Sequence, residues 1–199
     1  MIQHLRPAIV MIVLFTILTG LAYPLAITGI AHVLFPARGH GSLLYAKDGT
    51  TVVGSALIGQ SFTADKYFHG RPSATTDTSD STKAVPYNAN NSGASNYGAT
   101  SAALVKRVQG DVDVLHKAGV TGPIPADAVT TSASGLDPDI SPAFALLQVP
   151  RVAKARNLPE DKVRSLVEQM EGGRALGLIG EPRVNVLELN LALDNLASS

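Results

Sequence analysis

The residues best suited to chemistry in this chain fall in one octapeptide, Tyr-Phe-His-Gly-Arg-Pro-Ser-Ala, from Tyr67 to Ala74. Ser73, His69 and the nearby Asp77 are the residue types of a nucleophile, its general base and the group that orients the base. That chemistry needs serine and histidine within hydrogen-bond reach, and closeness along the chain supplies no such contact. The G-x-S-x-G turn that exposes a serine in many hydrolases does not occur. The competing reading is that His69 and Arg71 brace a loop whose turn Pro72 fixes. Asp137-Pro138-Asp139 offers two carboxylates to a cation, yet Asp-Pro-Asp ahead of Ser141-Pro142 reads first as a turn. Arg151, Lys154 and Arg156 cluster near a predicted helix end, where solvation and the helix dipole account for them without a ligand.

Other chemistries find less. The five histidines, His4, His32, His40, His69 and His116, lack the spacing of a metal site, and His32 reads as an interfacial side chain rather than a proton relay. With no cysteine there are no thiolates or disulfides, which fits an oxidising compartment without proving it. Neither G-x-x-x-x-G-K-[ST] nor a strand-to-helix G-x-G-x-x-G is present, so no cofactor is bound by an identifiable motif. Lys+Arg and Asp+Glu number 16 each, so setting Arg6 aside leaves the remainder at a formal −1. Nucleic acid needs a clustered basic footprint, and single strands need aromatic platforms; with no Trp and this charge, neither partner is expected.

The elements that must position these residues start with an anchor. Between Arg6 and Arg38 there is no Asp, Glu, Lys or Arg. As a helix, residues 7–36 reach roughly 45 Å, and a bilayer needs only about 20 residues. A cleaved signal peptide is the alternative, but its apolar region is usually about 7–15 residues and ends at a small-residue site. Pro7 suits a helix start, and Pro24 predicts a kink or the far end of the span, with Leu25–Phe35 continuing outward. Gly20 and Gly29 would let a partner helix approach, or simply reflect the commonness of glycine in membrane helices. Lys and Arg counts at the two ends do not decide orientation.

Beyond the anchor, residues 37–199 suffice for one domain. Ser42–Tyr45 and Thr50–Ile58 flank Lys47-Asp48-Gly49 and predict a hairpin. Arg71–Gly98 is rich in Ser, Thr, Asn, Ala and Gly and predicts a long loop, a feature often functional or disordered. Leu104, Val108, Val112 and Leu115 predict a helix over Ala99–Lys117 that stops at Gly119. Ala126–Thr131 predicts a short strand. Ser141-Pro142 opens a helix through Arg156, and Pro159-Glu160-Asp161 opens another that stops at Gly172-Gly173. In VNVLELNLALDNL the leucines alternate as in a strand, but the composition favours helix. The expected class is α+β: one amino-terminal transmembrane helix, then one mixed, helix-rich domain.

Long motifs then point to a family. LRPA (Leu5–Ala8), TGLAYPL (Thr19–Leu25), GSLL (Gly41–Leu44), GSALIGQSF (Gly54–Phe62), YFHGRPSA, YN and SGASN between Tyr87 and Asn96, SASGLDPDISP (Ser132–Pro142), QVPRVAKARNL (Gln148–Leu158) and VNVLELNLALD (Val184–Asp194) occur in one order. The chain resembles the C subunit of Kdp-type potassium-transporting ATPases. It departs after Asn96, where YGATSAAL lacks an Asn-Pro helix start. The resemblance implies a bacterial inner-membrane protein with residues 1–6 cytoplasmic, residues 7–36 spanning the bilayer and residues 37–199 periplasmic. It implies three partners: a potassium-binding channel-like subunit, an ATP-hydrolysing P-type subunit and a small membrane subunit. ATP and potassium are then handled by the complex, with this subunit described as a catalytic chaperone that raises nucleotide affinity. An outer domain cannot touch cytoplasmic ATP, so that effect has to pass through the membrane helices or assembly. Gly20, Tyr23, Pro24, Gly29, His69, Arg71, Asn88 and Asn96 are the candidate partner-contact or loop-bracing residues. A stand-alone membrane-anchored envelope hydrolase using YFHGRPSA is the alternative.

Overall fold

The structure, a computed structural model, describes residues 2–196. It divides into two compact units, Met1–Ser55 and Ala56–Ser199.

In the first unit α1 (Ile2–Ile17), a π-helical turn (Leu18–Ala22) and α2 (Tyr23–Leu34) run on as one apolar helix. Its 32 residues, Gln3–Leu34, are long and apolar enough to cross a bilayer. One expectation changes here. Pro7 lies inside α1 rather than at its start; the bond its missing N–H forfeits is only the one to Gln3, at the helix end. Beyond Pro24 the helix continues to Leu34, as expected for Leu25–Phe35. Proline cannot donate to the carbonyl of Gly20 and crowds it, and the π turn absorbs the mismatch by passing the Tyr23 amide to Leu18 O. Thr19 Oγ1 donates to Phe15 O at 2.6 Å within the same stretch. After the short α3 (Pro36–Gly39), β1 (Leu43–Tyr45) and β2 (Val52–Ser55) form the expected antiparallel hairpin, with a bulge between Leu44 and Tyr45. The second strand ends at Ser55, short of Ile58. Asp48 organises the turn by accepting from the amides of Thr50 and Thr51 and from Thr51 Oγ1, bonds that hold its carboxyl down to about 2.

The second unit has a core built on three helices and a small sheet. Ser141 caps α5 (Pro142–Arg156) by accepting from the Phe144 amide, and left-handed Asn157 (φ 54°) closes it. From α5, Phe144, Ala145, Val149, Val152 and Ala153 are buried; α6 (Glu160–Gln169) adds Val163 and Val167. α7 (Val186–Leu196) adds Val186, Leu189, Asn190 and Leu193, a 3.6-residue stripe that outweighs the leucine alternation and makes the segment helical as expected. The antiparallel sheet, in the order β3 (Asp139–Ile140), β5 (Arg183–Asn185), β4 (Glu171–Gly172), lies beside them. Its strands are too short to leave a period-2 signal in sequence.

α4 (Ala102–Lys117) begins three residues later than expected, where the Asn-Pro start is missing, and packs Val108, Val112 and Leu115 against the core. Ala126–Ala128 is a 3₁₀ turn, not a strand. Pro125 leads into it, and Asp127 turns back to accept from the amide and hydroxyl of Ser141 at 2.6 and 2.9 Å. α6 stops before Gly172 because the chain there pairs with β5. The long loop is present: among the described residues no helix or named strand lies between Ser55 and Ala102.

Candidate functional site

The octapeptide runs as an extended strap through this unit, and the backbone is what holds it. Phe68 is fully buried, so its amide and carbonyl must find partners away from water. Asn190 of α7 supplies both: its Oδ1 accepts from Phe68 N at 2.8 Å and its Nδ2 donates to Phe68 O at 2.9 Å. Gln148 of α5 does the same for His69, accepting from its amide at 2.8 Å and donating to its carbonyl at 3.0 Å. Successive residues of an extended chain point their polar groups to opposite sides, so one amide side chain is needed from each. Asn190 and Gln148 are among the few buried polar side chains. Reading the sequence missed both; the available signal was a polar residue on an otherwise apolar helical stripe.

Around the strap lie two arginines. Arg151 Nη1 donates to the carbonyls of Asp65 and Tyr67, and Nη2 to Gln148 Oε1. Arg156, its side chain 8% exposed, pairs with Asp194 at 2.7 Å and covers the ring of Tyr67. The basic cluster near the end of α5 is thus built inward in two of its three members, not a solvated face. His69 Nε2 donates to Ala64 O at 3.1 Å. Burial and, behind it, the guanidinium of Arg151 push the imidazole below its usual value.

Past the strap, Arg71 ties the loop to the segment before β3. Its guanidinium donates to Asp137 Oδ2 at 2.9 Å, to Thr131 O and to both oxygens of Thr130. Tyr87 donates its hydroxyl to Arg71 O at 2.8 Å, and burial pushes that phenol up to about 12. A Cβ at Gly70 would collide with the Tyr87 hydroxyl, so only glycine fits there. Asn88 donates to Thr76 O at 2.8 Å, and Asn96 occupies the left-handed region at φ 52°. Thr75, 2% exposed, donates to Val85 O and accepts from the Asn88 amide. A polar loop with little to bury is therefore pinned by hydrogen bonds instead of by a core.

The geometry does not assemble Ser73, His69 and Asp77 into a triad. Ser73 Oγ donates to Gly135 O at 2.8 Å and accepts from the Tyr87 amide; His69 faces Ala64 and Arg151; Asp77 accepts from Ser79. Each of the three has its own structural partners and none orients another. Asp137 and Asp139 line an open groove of about 510 Å³ with Asp127 and Glu181. Asp137 is paired with Arg71, Asp139 with Arg183 and Glu181 with Arg174, while Asp127 serves Ser141. Burial raises the Asp139 carboxyl. Among the described residues no group of three His, Asp or Glu is arranged for a metal ion. Gly20, Tyr23, Pro24 and Gly29 all lie on the first unit's long helix, away from these bonds in sequence, with their side chains or faces exposed. A Cβ at Gly29 would meet nothing within 4 Å.

Comparison with known proteins bears on the whole chain. Residues 5–195 match the family model described as "KdpC: K+-transporting ATPase, c chain". A "Potassium-transporting ATPase KdpC subunit" of Methylobacterium nodulans is 63% identical, over 99% of each chain. Proteins of the same description from Bradyrhizobium diazoefficiens and Methylorubrum extorquens are 62% and 61% identical, over 100% and 99% of each chain.

Proposed function

The chain belongs to the KdpC family, the c chains of K+-transporting ATPases, and from that premise we propose that it is a non-catalytic, membrane-anchored subunit that holds the transport complex together. Accessory membership of a potassium-transport complex comes with the family. The finer assignments are ours. The helix over Gln3–Leu34 spans the inner membrane once, and the domain that follows lies on the outer side. The span docks between helices of the channel-like and ATP-hydrolysing subunits and the small membrane subunit. Gly20 and Gly29 offer close approach there, and the π turn ahead of Pro24 gives the helix a local widening that a neighbour can recognise. The outer domain covers or stabilises the potassium entrance, while ATP and potassium are bound by the partners.

One observation carries the non-catalytic reading: the residues that looked catalytic are committed to fixed structural bonds, Ser73 to Gly135 and His69 to Ala64. What supports anchoring is the 32-residue apolar helix, none of whose apolar window is buried. Any influence on nucleotide then travels through membrane helices as a coupling between distinct sites.

Two measurements test this. Tagged chain recovered in mild detergent from potassium-starved cells should bring down the ATP-hydrolysing and channel-like subunits with potassium-stimulated ATPase activity; recovery alone would sink the subunit reading. Because the chain has no cysteine, Thr78→Cys carries its sole thiol. A membrane-impermeant maleimide should label it from the outer side of the inner membrane, and labelling only after lysis would reverse the orientation.

A further inference from the structure

The carboxyl end of the long helix carries a basic turn that neither the strap nor the core explains. At Phe35 (φ −135°, ψ 58°) the chain leaves the helix, and α3 folds back beside the last turn of α2. The Gly39 amide donates to Phe35 O at 2.7 Å and the His40 amide to Pro36 O at 3.1 Å. A Cβ at Gly39 would stand 3.0 Å from the His32 ring and 3.2 Å from Ala31 O, so the two segments are in close contact. The fold-back stacks His40 on His32, with ring centroids 4.7 Å apart and planes 21° apart. Arg38 sits in the same turn and, among the described residues, enters none of the ion pairs. All three basic side chains are exposed. No Asp or Glu precedes Asp48, so no carboxylate of this stretch is at hand to neutralise them. The negative end of the helix dipole favours a cation here but amounts to only about half a charge.

We propose that this turn seats the phosphate of an anionic phospholipid in the leaflet at the carboxyl end of the helix. The proposal rests on the reading of the helix as a membrane span, and names what the end of that span binds. Depth argues for lipid. His32 follows Arg6 by 26 positions, with no charged or histidine side chain between them. That is about 39 Å of helix at about 1.5 Å per residue, and a bilayer with its headgroup layers measures about 40–45 Å. With Arg6 in one headgroup layer, His32 reaches the other, and the fold-back returns Gly39 and His40 to its level. Val33, Leu34 and Phe35 at the apex are 79%, 63% and 54% exposed, an apolar surface that belongs in the interfacial layer rather than in open water. Charge argues for an anionic headgroup. The Arg38 guanidinium supplies a fixed charge and several N–H donors, each imidazole adds a donor even when neutral, and phosphate oxygens accept. A zwitterionic headgroup brings its own ammonium to the phosphate and gains less from the same cations.

The test uses the full-length chain in phosphatidylcholine vesicles. The chain has no Trp, so Phe35→Trp supplies its sole indole at the apex of the turn. Lipid brominated near the glycerol quenches that indole on contact. Phosphatidylglycerol so labelled should be enriched beside it about fivefold over the same amount of labelled phosphatidylcholine. A variant with His32→Gln, Arg38→Gln and His40→Gln together should bring the two lipids level. Arg6→Gln, at the far end of the span, should leave the preference unchanged. In the assembled complex, a photoreactive phosphatidylglycerol should label the peptide that carries Arg38. Equal quenching by the two lipids, a preference that survives the triple substitution, or loss of labelling on assembly because a sister subunit covers the turn would each overturn the proposal. If neither lipid quenches, the helix is not in the bilayer, and the anchoring reading fails and takes this seat with it. If both quench equally, the anchor stands and only the seat is refuted.

Discussion

Asn190 closes both backbone hydrogen bonds of Phe68, at 2.8 Å to the amide and 2.9 Å to the carbonyl, across 122 residues of chain. Through this pair a strap without secondary structure of its own becomes part of the core. Removing the amide leaves two buried backbone groups unmet, each of which costs about 1–3 kcal/mol. Asn190→Ala should therefore destabilise the chain by about 2–6 kcal/mol in thermal or urea unfolding, before any cavity term. Asn190→Leu, which keeps volume but not hydrogen bonding, should be no better. A loss under half a kcal/mol in both would show that water replaces the side chain there.

Gly70 and Tyr87 make a second pair open to measurement. Gly70→Ala should cost about 1–3 kcal/mol through overpacking against the Tyr87 hydroxyl. In a Tyr87→Phe background the obstructing oxygen is gone, so the same substitution should cost visibly less. Strict additivity of the two losses in a double-mutant cycle would place the strain elsewhere.

The Arg71 fork should show itself in the loop more than in global stability. Its side chain and that of Asp137 are 25% and 29% exposed, so solvent screens the pair and the charge itself contributes modestly. Lysine keeps that charge but cannot reach Asp137, Thr130 and Thr131 at once. Arg71→Lys should expose residues 71–98 to faster proteolytic nicking, with only about 1 kcal/mol lost overall. Unchanged cleavage would mean that Thr75, Tyr87 and Asn88 pin the loop without it.

His69 predicts a pH dependence whose sign is defined. Burial and Arg151 depress its folded pKa below the unfolded 6.5, so between the two values the unfolded chain holds more protons. The stability that neutral His69 contributes is present above pH 6.5 and is lost as pH falls through that value toward the folded pKa. Wild type should lose thermal stability between about pH 7.5 and 5.5, and His69→Gln should lose less. Equal slopes would assign the acid sensitivity to other groups.

The long apolar helix, the order of the helices and the family were legible in the residues themselves, because each rests on local information. An uncharged run from Pro7 to Ala37 needs no tertiary context to be read as a span. Ser141-Pro142 carries its cap within four residues, and Asp48 builds its turn from its own neighbours. What the sequence could not disclose is long-range. The sheet joins Asp139–Ile140 to Arg183–Asn185 through a few backbone bonds too brief to imprint a pattern, and Ala126–Ala128 coils because Asp127 reaches Ser141. Ser73, His69 and Asp77 lie within nine residues of one another, yet only folding decides that they serve Gly135, Ala64 and Ser79 rather than each other. Residue type limits the chemistry a side chain can do, but its partners are set by which distant backbone groups are buried beside it and need a hydrogen bond.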